Sequence, residues 1–217
     1  MGADQPHLAK HPRPIYVFDM IPLTRHELVE EVFAEGMIRP ATIHDVPRIR
    51  DIINAHAELG KMLFKSYAQI YEALRDFAVY EVETAGGREV VGCAALAIIW
   101  ADLAEVRSLA VDDEYRGRGI GRRLVEWCVD ESRRLGIRRL MSLTYEQAFF
   151  AKLGFEVVPK DTLPLKVWSD CVRCPKRDGC DEIAMVRELH DVPMIVMPTA
   201  PPTPKGVSIP VLEHVED

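Results

Sequence analysis

A carboxylate, a glycine-rich turn and a few scattered cations carry the chemistry of this chain. Glu105 sits on an alternating run, with Arg107 and Leu109 on its side and Val106, Ser108 and Ala110 on the other, which predicts a strand with one polar-edged face. Asp112 and Asp113 end the run. Arg116, Gly117, Arg118, Gly119, Ile120, Gly121 and Arg122 follow as an R-x-x-G-x-G pattern, and Leu124, Cys128 and Leu135 then mark the apolar stripe of a helix.

Glycines at this spacing let the backbone close on a phosphate, and a helix start offers unpaired N–H groups and the positive end of its dipole. The turn therefore reads as a pyrophosphate site; for the glycines alone, an ordinary strand–turn–helix connection is the alternative. The third glycine and downstream acid of a dinucleotide fingerprint are missing, as is the Lys-Ser/Thr pair of a P-loop, which disfavours both.

The elements on either side must hold this turn in place. Ile38 opens a first strand, Thr42 and Asp45 give a capping signature, and Val46, Ile49, Ile52, Ile53 and His56 follow at helical spacing up to Gly60. A second helix is predicted over residues 67–75. Residues 77–83 and 90–100 read as an antiparallel hairpin around Ala85, Gly86 and Gly87. Beyond the glycine turn, the helix ends at Gly136. Residues 139–143 read as a strand, 146–153 as a short helix, 155–158 as a strand and 182–189 as the last element. This order predicts one α/β domain over residues 37–189, a mixed sheet with helices on both faces.

Residues 1–36, with Pro6, Pro12, Pro14 and a short amphipathic piece at 24–33, read as a partly helical extension; Met37 offers an alternative start. Residues 190–217 hold six prolines between 193 and 210 and read as a tail that need not pack. The net charge of −7 argues against non-specific nucleic-acid binding, although nine arginines fall between residues 107 and 139. No apolar run has the length of a membrane span, no secretory signal is evident, and five cysteines fit a reducing compartment, so the expectation is a cytoplasmic protein.

With Glu105 upstream and Phe149-Phe150-Ala151-Lys152-Leu153-Gly154-Phe155 downstream, the turn resembles motif A of the GNAT superfamily of N-acetyltransferases. The resemblance implies the GNAT fold, a mostly antiparallel sheet splayed between its fourth and fifth strands. It also implies acetyl-CoA on Leu109, Ala110, Val111 and residues 116–122, the pantetheine arm lying in the splay against the backbone of Leu109 and Val111. The Leu109 N–H would then face the oxyanion. Acetyl transfer needs a neutral amine, a bound thioester and a proton for the departing thiolate. Glu105 is the candidate base; a salt bridge to Arg107 is its other reading. Where many superfamily members carry an acidic tyrosine this chain has Phe150, so the candidate acids become Thr144 and Ser142, then Tyr145 or a water.

Across residues 38–189 the sequence is similar to the short-form N-acetylglutamate synthase branch, through Ile38-Arg39-Pro40-Ala41, Lys65-Ser66, Val91-Gly92-Cys93-Ala94-Ala95-Leu96, Ala104-Glu105, Leu143-Thr144, Leu163-Pro164-Leu165-Lys166 and the block from Asp170 to Met185. That resemblance implies L-glutamate as acceptor, in arginine biosynthesis. Two carboxylates call for cationic or donor groups, and Lys65, Ser66, Arg107 and Lys166 are the candidates. The branch commonly has arginine at position 65, and lysine binds as a point charge instead of a fork. Another amino acid, a polyamine or a protein amine are the alternative acceptors. A non-catalytic acyl-CoA sensor is a further alternative, which Phe150 permits and Glu105 opposes. Cys171, Cys174 and Cys180 are weak zinc candidates, with free thiols or a reversible disulfide as the competing readings. Cys93 and Cys128 read as core, and His44 and His56 as packing or solvent-facing residues without a catalytic role. Pairing through edge strands is common in the superfamily, so a homodimer is the default expectation.

Overall fold

A computed structural model describes residues 36–163 and 180–194. Nearly continuous apolar runs, buried on both faces, draw β2 (Phe77–Thr84) and β3 (Gly87–Trp100) into an antiparallel hairpin. Its turn is closed by Thr84, whose hydroxyl donates to the Gly87 carbonyl (2.7 Å) and accepts from the Gly86 N–H (3.2 Å). Around this hairpin stand β1 (Met37–Pro40), β4 (Leu103–Val111), β5 (Arg139–Thr144), β6 (Glu156–Val157) and β7 (Ile183–Glu188). The sheet runs in the order β1-β2-β3-β4-β5-β7-β6, antiparallel throughout except at β4/β5, which is parallel.

Helix α1 (Val46–Glu58) begins where the Asp45 carboxylate accepts from the Thr42 N–H (2.7 Å) and hydroxyl (2.9 Å). It buries Val46, Ile49, Ile52 and Ile53 and stops at Gly60, where φ is +71°. Helix α2 (Tyr67–Glu72) is shorter than its periodicity predicts; a 3-10 turn at Leu74–Asp76 replaces its last residues and feeds straight into β2. Helix α3 (Ile120–Leu135) lies between two left-handed glycines, Gly119 and Gly136. Helix α4 (Gln147–Ala151) is also shorter than predicted, because the Leu153 and Phe155 N–H groups both fold back onto the Phe150 carbonyl (2.9 and 3.1 Å) and Gly154 turns at φ +78°. That turn leaves only two residues of β6.

Partners across the ladder share a face. Ala95 and Cys93, opposite Arg107 and Ala110, pack with Ile49, Ile53, Phe77 and Val79 under α1. On the other face, Gly92 lets α3 come close: a Cβ there would sit 3.2 Å from Ile120 and Leu124. Cys93 and Cys128 are buried in these layers, as the sequence predicts, and desolvation pushes each thiol up to about 12. A second apolar cluster, Ile99, Leu103, Met141, Leu163 and Ala184, covers the β5/β7 end.

One expectation fails on β4. Register slips between Cys93 and Ala95, and Ser108 takes φ +53°, so an extra residue is inserted at 108–109. The two-residue period is broken there, and Ala110, not Leu109, joins Glu105 and Arg107 on the α1 face. No helix among the described residues is long and apolar enough to cross a membrane.

Candidate active site

The glycine turn is built from backbone. Gly117 (φ +76°) and Gly119 (φ +77°) are both left-handed, a conformation costly for any residue with a Cβ. Asp112 anchors the start of the turn, its Oδ1 accepting from the Glu114 N–H at 3.1 Å. The first α3 bond runs from the Arg123 N–H to the Gly119 carbonyl (3.1 Å), so the N–H groups of Ile120, Gly121 and Arg122 point out of the helix end. A glycine at the cap brings no side-chain acceptor to compete for them. Uncapped N–H groups and the positive end of a sixteen-residue helix suit a pyrophosphate. Gly121 serves differently: the Phe149 ring lies 3.6 Å from where its Cβ would be. Of the arginines, Arg116 pairs with Asp113 (3.1 Å), Arg118 lies over the Tyr115 ring (5.2 Å) and Arg122 is exposed.

Beside this turn the sheet forks. β4 and β5 pair at Leu103/Arg139, Ala104/Leu140 and Glu105/Met141. Beyond Glu105, no strand among the described residues pairs with that edge of β4. Ser142 bridges the base of the fork, its hydroxyl donating to the Val106 carbonyl at 3.1 Å. Further along, Asp112 N–H donates to the Val91 carbonyl (2.9 Å) and Val111 stands opposite Gly92, so the N–H and C=O of Val111 point away from β3 into the fork.

Glu105 stands at the last paired rung, half-buried, on the face between the two apolar clusters. Arg107 is next on that face and reaches Asp76 at 3.6 Å. Burial pushes the Asp76 carboxyl up while Arg107 opposes the shift. The two candidate acids differ. Ser142 is buried with its proton on Val106, whereas Thr144 Oγ1 accepts from the Glu146 N–H (2.9 Å) and its own proton takes no part in that bond. Tyr145 is a poor acid: desolvation, with Glu182 and Asp181 nearby, pushes its hydroxyl up to about 12. Phe150 is buried edge-on between Phe149 and Phe155, at centroid distances of 5.2 and 5.1 Å.

Of the acceptor candidates, Lys65 is fixed through its backbone: its N–H donates to Asn54 Oδ1 (2.9 Å) and its carbonyl accepts from Asn54 Nδ2 (3.2 Å). Ser66 caps α2, accepting from the Gln69 N–H at 3.3 Å, a structural duty the sequence reading did not assign it. Lys166 lies outside the described residues, as do Cys171 and Cys174. Cys180 sits beside Lys160 Nζ (3.6 Å) and Glu182 (3.8 Å); among the described residues no three metal-ligating side chains gather.

The sequence profile of the acetyltransferase (GNAT) domain matches residues 73–157, from the end of α2 through the glycine turn to β6. An uncharacterized N-acetyltransferase of Chlorobaculum tepidum is 40% identical over 156 residues, 72% of this chain and 98% of that protein. The chain belongs to the GNAT acetyltransferase family. An amino-acid acetyltransferase of Mycobacterium tuberculosis is 36% identical over 138 residues, 63% of this chain and 78% of that protein. Among solved GNAT structures, a Mycobacterium tuberculosis protein in complex with CoA superposes with a TM-score of 0.61 at 31% identity, covering 70% of this chain and 99% of that one. N-acetylglutamate synthase from Neisseria gonorrhoeae, complexed with coenzyme A and N-acetyl-glutamate, superposes with a TM-score of 0.62 at 31% identity; the match covers 71% of this chain and 35% of that longer one. This GNAT protein is an acetyl-CoA-dependent N-acetyltransferase, and its α/β fold with a parallel β4/β5 pair is the fold the sequence predicts.

Two supports of the turn lie far away in sequence. Arg48 donates to Asp112 Oδ2 (2.6 Å) and to the Val90 carbonyl (3.0 Å), and His56 Nε2 lies 2.8 Å from the Val111 carbonyl. Their i, i+8 spacing on one helix was the available signal, although it reads equally as an ordinary helix face.

Gly119 gives the first prediction. Gly119→Ala puts a Cβ on a left-handed residue, a cost of about 1–2 kcal/mol. Nothing among the described residues lies within 4 Å of that Cβ, so the turn relaxes and the fold does not. The dissociation constant for CoA, measured by calorimetry, is expected to rise about tenfold. Unchanged affinity would remove the turn from the cofactor site.

Proposed function

We propose that this chain, with residues 37–189 as its catalytic domain, transfers the acetyl group of acetyl-CoA to the α-amine of L-glutamate. One observation carries the reading. Glu105 and Arg107 stand side by side where the sheet face is polar between two apolar clusters, at the point where the β4/β5 fork opens. The names of the amino-acid acetyltransferase and N-acetylglutamate synthase relatives support the acceptor class.

In this reading the α3 N–H groups and the left-handed glycines hold the pyrophosphate, with Arg116 and Arg122 at its rim. The exposed Arg116–Asp113 pair is cheap to break when a phosphate arrives. The amides of the pantetheine arm lie along the open edge of β4 at Leu109 and Val111, with Ala110 between them packed under α1. Glu105 takes a proton from the ammonium, directly or through water. The amine lone pair then attacks the thioester carbon. The Leu109 N–H faces the oxyanion, and as the C–S bond breaks the new amide nitrogen gives up its second proton, which reaches the thiolate through the Thr144 hydroxyl or a water. Arg107 receives an acceptor carboxylate in competition with Asp76, whose carboxyl burial pushes up and Arg107 pulls down. Lys65 and Ser66, which precede and cap α2, and Lys166 complete the set of acceptor-binding residues proposed from sequence.

A second acceptor is favoured by one observation, the lysine at position 65 where the short-form branch commonly has arginine. Both are tested by thiol release from acetyl-CoA across the amino acids. Glutamate is expected to give the highest kcat/KM. Lys65→Met should raise its KM about tenfold with little change in that of acetyl-CoA, the loss expected for one charged contact. Turnover with glutamate no faster than with buffer overturns the assignment.

A further inference from the structure

We propose that His56 is a positioning residue for acetyl-CoA, holding the Val111 carbonyl on the open edge of β4 that receives the pantetheine arm. The proposal rests on the reading of that edge as the cofactor's path. Buried backbone carbonyls require partners, and in a continuous sheet Val111 would find one on the next strand. Here the next strand has parted from β4, and the carbonyl is met instead by the imidazole of α1 at 2.8 Å. His56 is nine-tenths buried in the last turn of that helix, next to the core residues Ile53 and Ala57. The helix end is tied down in turn by the Lys61 N–H on the His56 carbonyl (3.1 Å).

A ring nitrogen must carry a hydrogen to bond a carbonyl, so Nε2 is the donor in this contact. A carbonyl oxygen has two lone pairs. One taken by His56 leaves the other for an amide N–H of the arriving arm, and the peptide plane is already fixed when the arm arrives. The next residue is held from the same helix: Arg48 Nη2 contacts Asp112 Oδ2 at 2.6 Å, and Asp112 in turn caps the turn that leads to Gly117 and Gly119. A cleft of about 160 Å³ lies between these two supports, lined by Arg48, Asp51, Ile52, His56, Asp112 and Asp113. Helix α1 thus sets where the strand ends and where the phosphate turn begins.

The experiment uses the full chain with His56→Leu, His56→Gln and His56→Asn. Glutamine carries an amide nitrogen at the reach of Nε2, asparagine does not, and leucine removes the donor at similar volume. Calorimetry with CoA and steady-state kinetics with both substrates are measured. Leucine and asparagine are expected to raise the CoA dissociation constant and the KM for acetyl-CoA about 5–20-fold, while the acceptor KM moves less than about twofold. Glutamine is expected to stay within about threefold of the unaltered protein. If the leucine variant does not fold, the Asn/Gln pair still decides. Equal CoA affinity in those two, or acceptor and acetyl-CoA KM values rising together, overturns the proposal. Gly119→Ala in parallel separates the two readings: weakened CoA binding there with none in the His56 set rejects His56 alone, and no CoA binding by the unaltered protein rejects both.

Discussion

Glu105→Gln is expected to lower kcat about 10²–10⁴-fold while the dissociation constant for CoA stays within about twofold. Glutamine keeps the size of the side chain and its capacity to hydrogen-bond, and loses only the ability to accept a proton at working pH. The residue sits at the last rung of the parallel β4/β5 pair, opposite Met141, while the phosphate turn lies beyond the far end of β4. Its loss as a base should therefore not reach the turn. The deficit should shrink as pH rises, because more of the acceptor amine is then already neutral. Equal losses of turnover and CoA affinity, at every pH, would make the carboxylate a strut of the fork instead.

Arg39→Met is expected to destabilise the fold by about 3–5 kcal/mol in urea unfolding, the cost of taking the charged partner from buried Asp45 and leaving buried Glu81 only the longer contact to Arg88 at 3.7 Å. The guanidinium makes two bonds to Asp45 (2.7 and 2.9 Å) and one to Glu81 (2.8 Å), and both carboxylates are buried. Burial alone would raise the Asp45 carboxyl; the bonds from Arg39 and Thr42 outweigh it and hold the group below its ordinary value. A carboxyl lowered in the folded state contributes stability above its unfolded pKa and loses it as pH falls through the folded one. The gap between wild type and Arg39→Met should therefore narrow in acid. A gap that is constant with pH would assign the loss to the packing of the arginine stem.

Much of this was legible in the residues. Caps at Thr42 and Asp45, the left-handed glycines and the apolar periods of α1 and α3 are local signals, and the elements follow them. The bulge was not legible, because a serine at φ +53° has no compositional mark and a two-residue period cannot report an inserted residue. Nor were the supports of the turn: Arg48 and Asp112 are 64 residues apart, His56 and Val111 55. Such contacts arise only when the helix is laid across the sheet. Short elements were overestimated for a different reason, since a local turn, closed by two bonds onto the Phe150 carbonyl and the left-handed Gly154, ends a helix sooner than periodicity alone indicates.

Among the described residues the outermost strands of the sheet are short, with four residues in β1 and two in β6. Along residues 106–111 no strand among the described residues covers the inner edge of β4, and side chains meet it, Ser142 at the Val106 carbonyl and His56 at the Val111 carbonyl. If the acyl donor lies along that edge as proposed, peptide-like groups of its own would extend the ladder. On the proposed reading of that edge, acetyl phosphate, which is activated but has no amides, would leave it without strand-like partners, and the carrier would be selected by its handle as much as by its thioester.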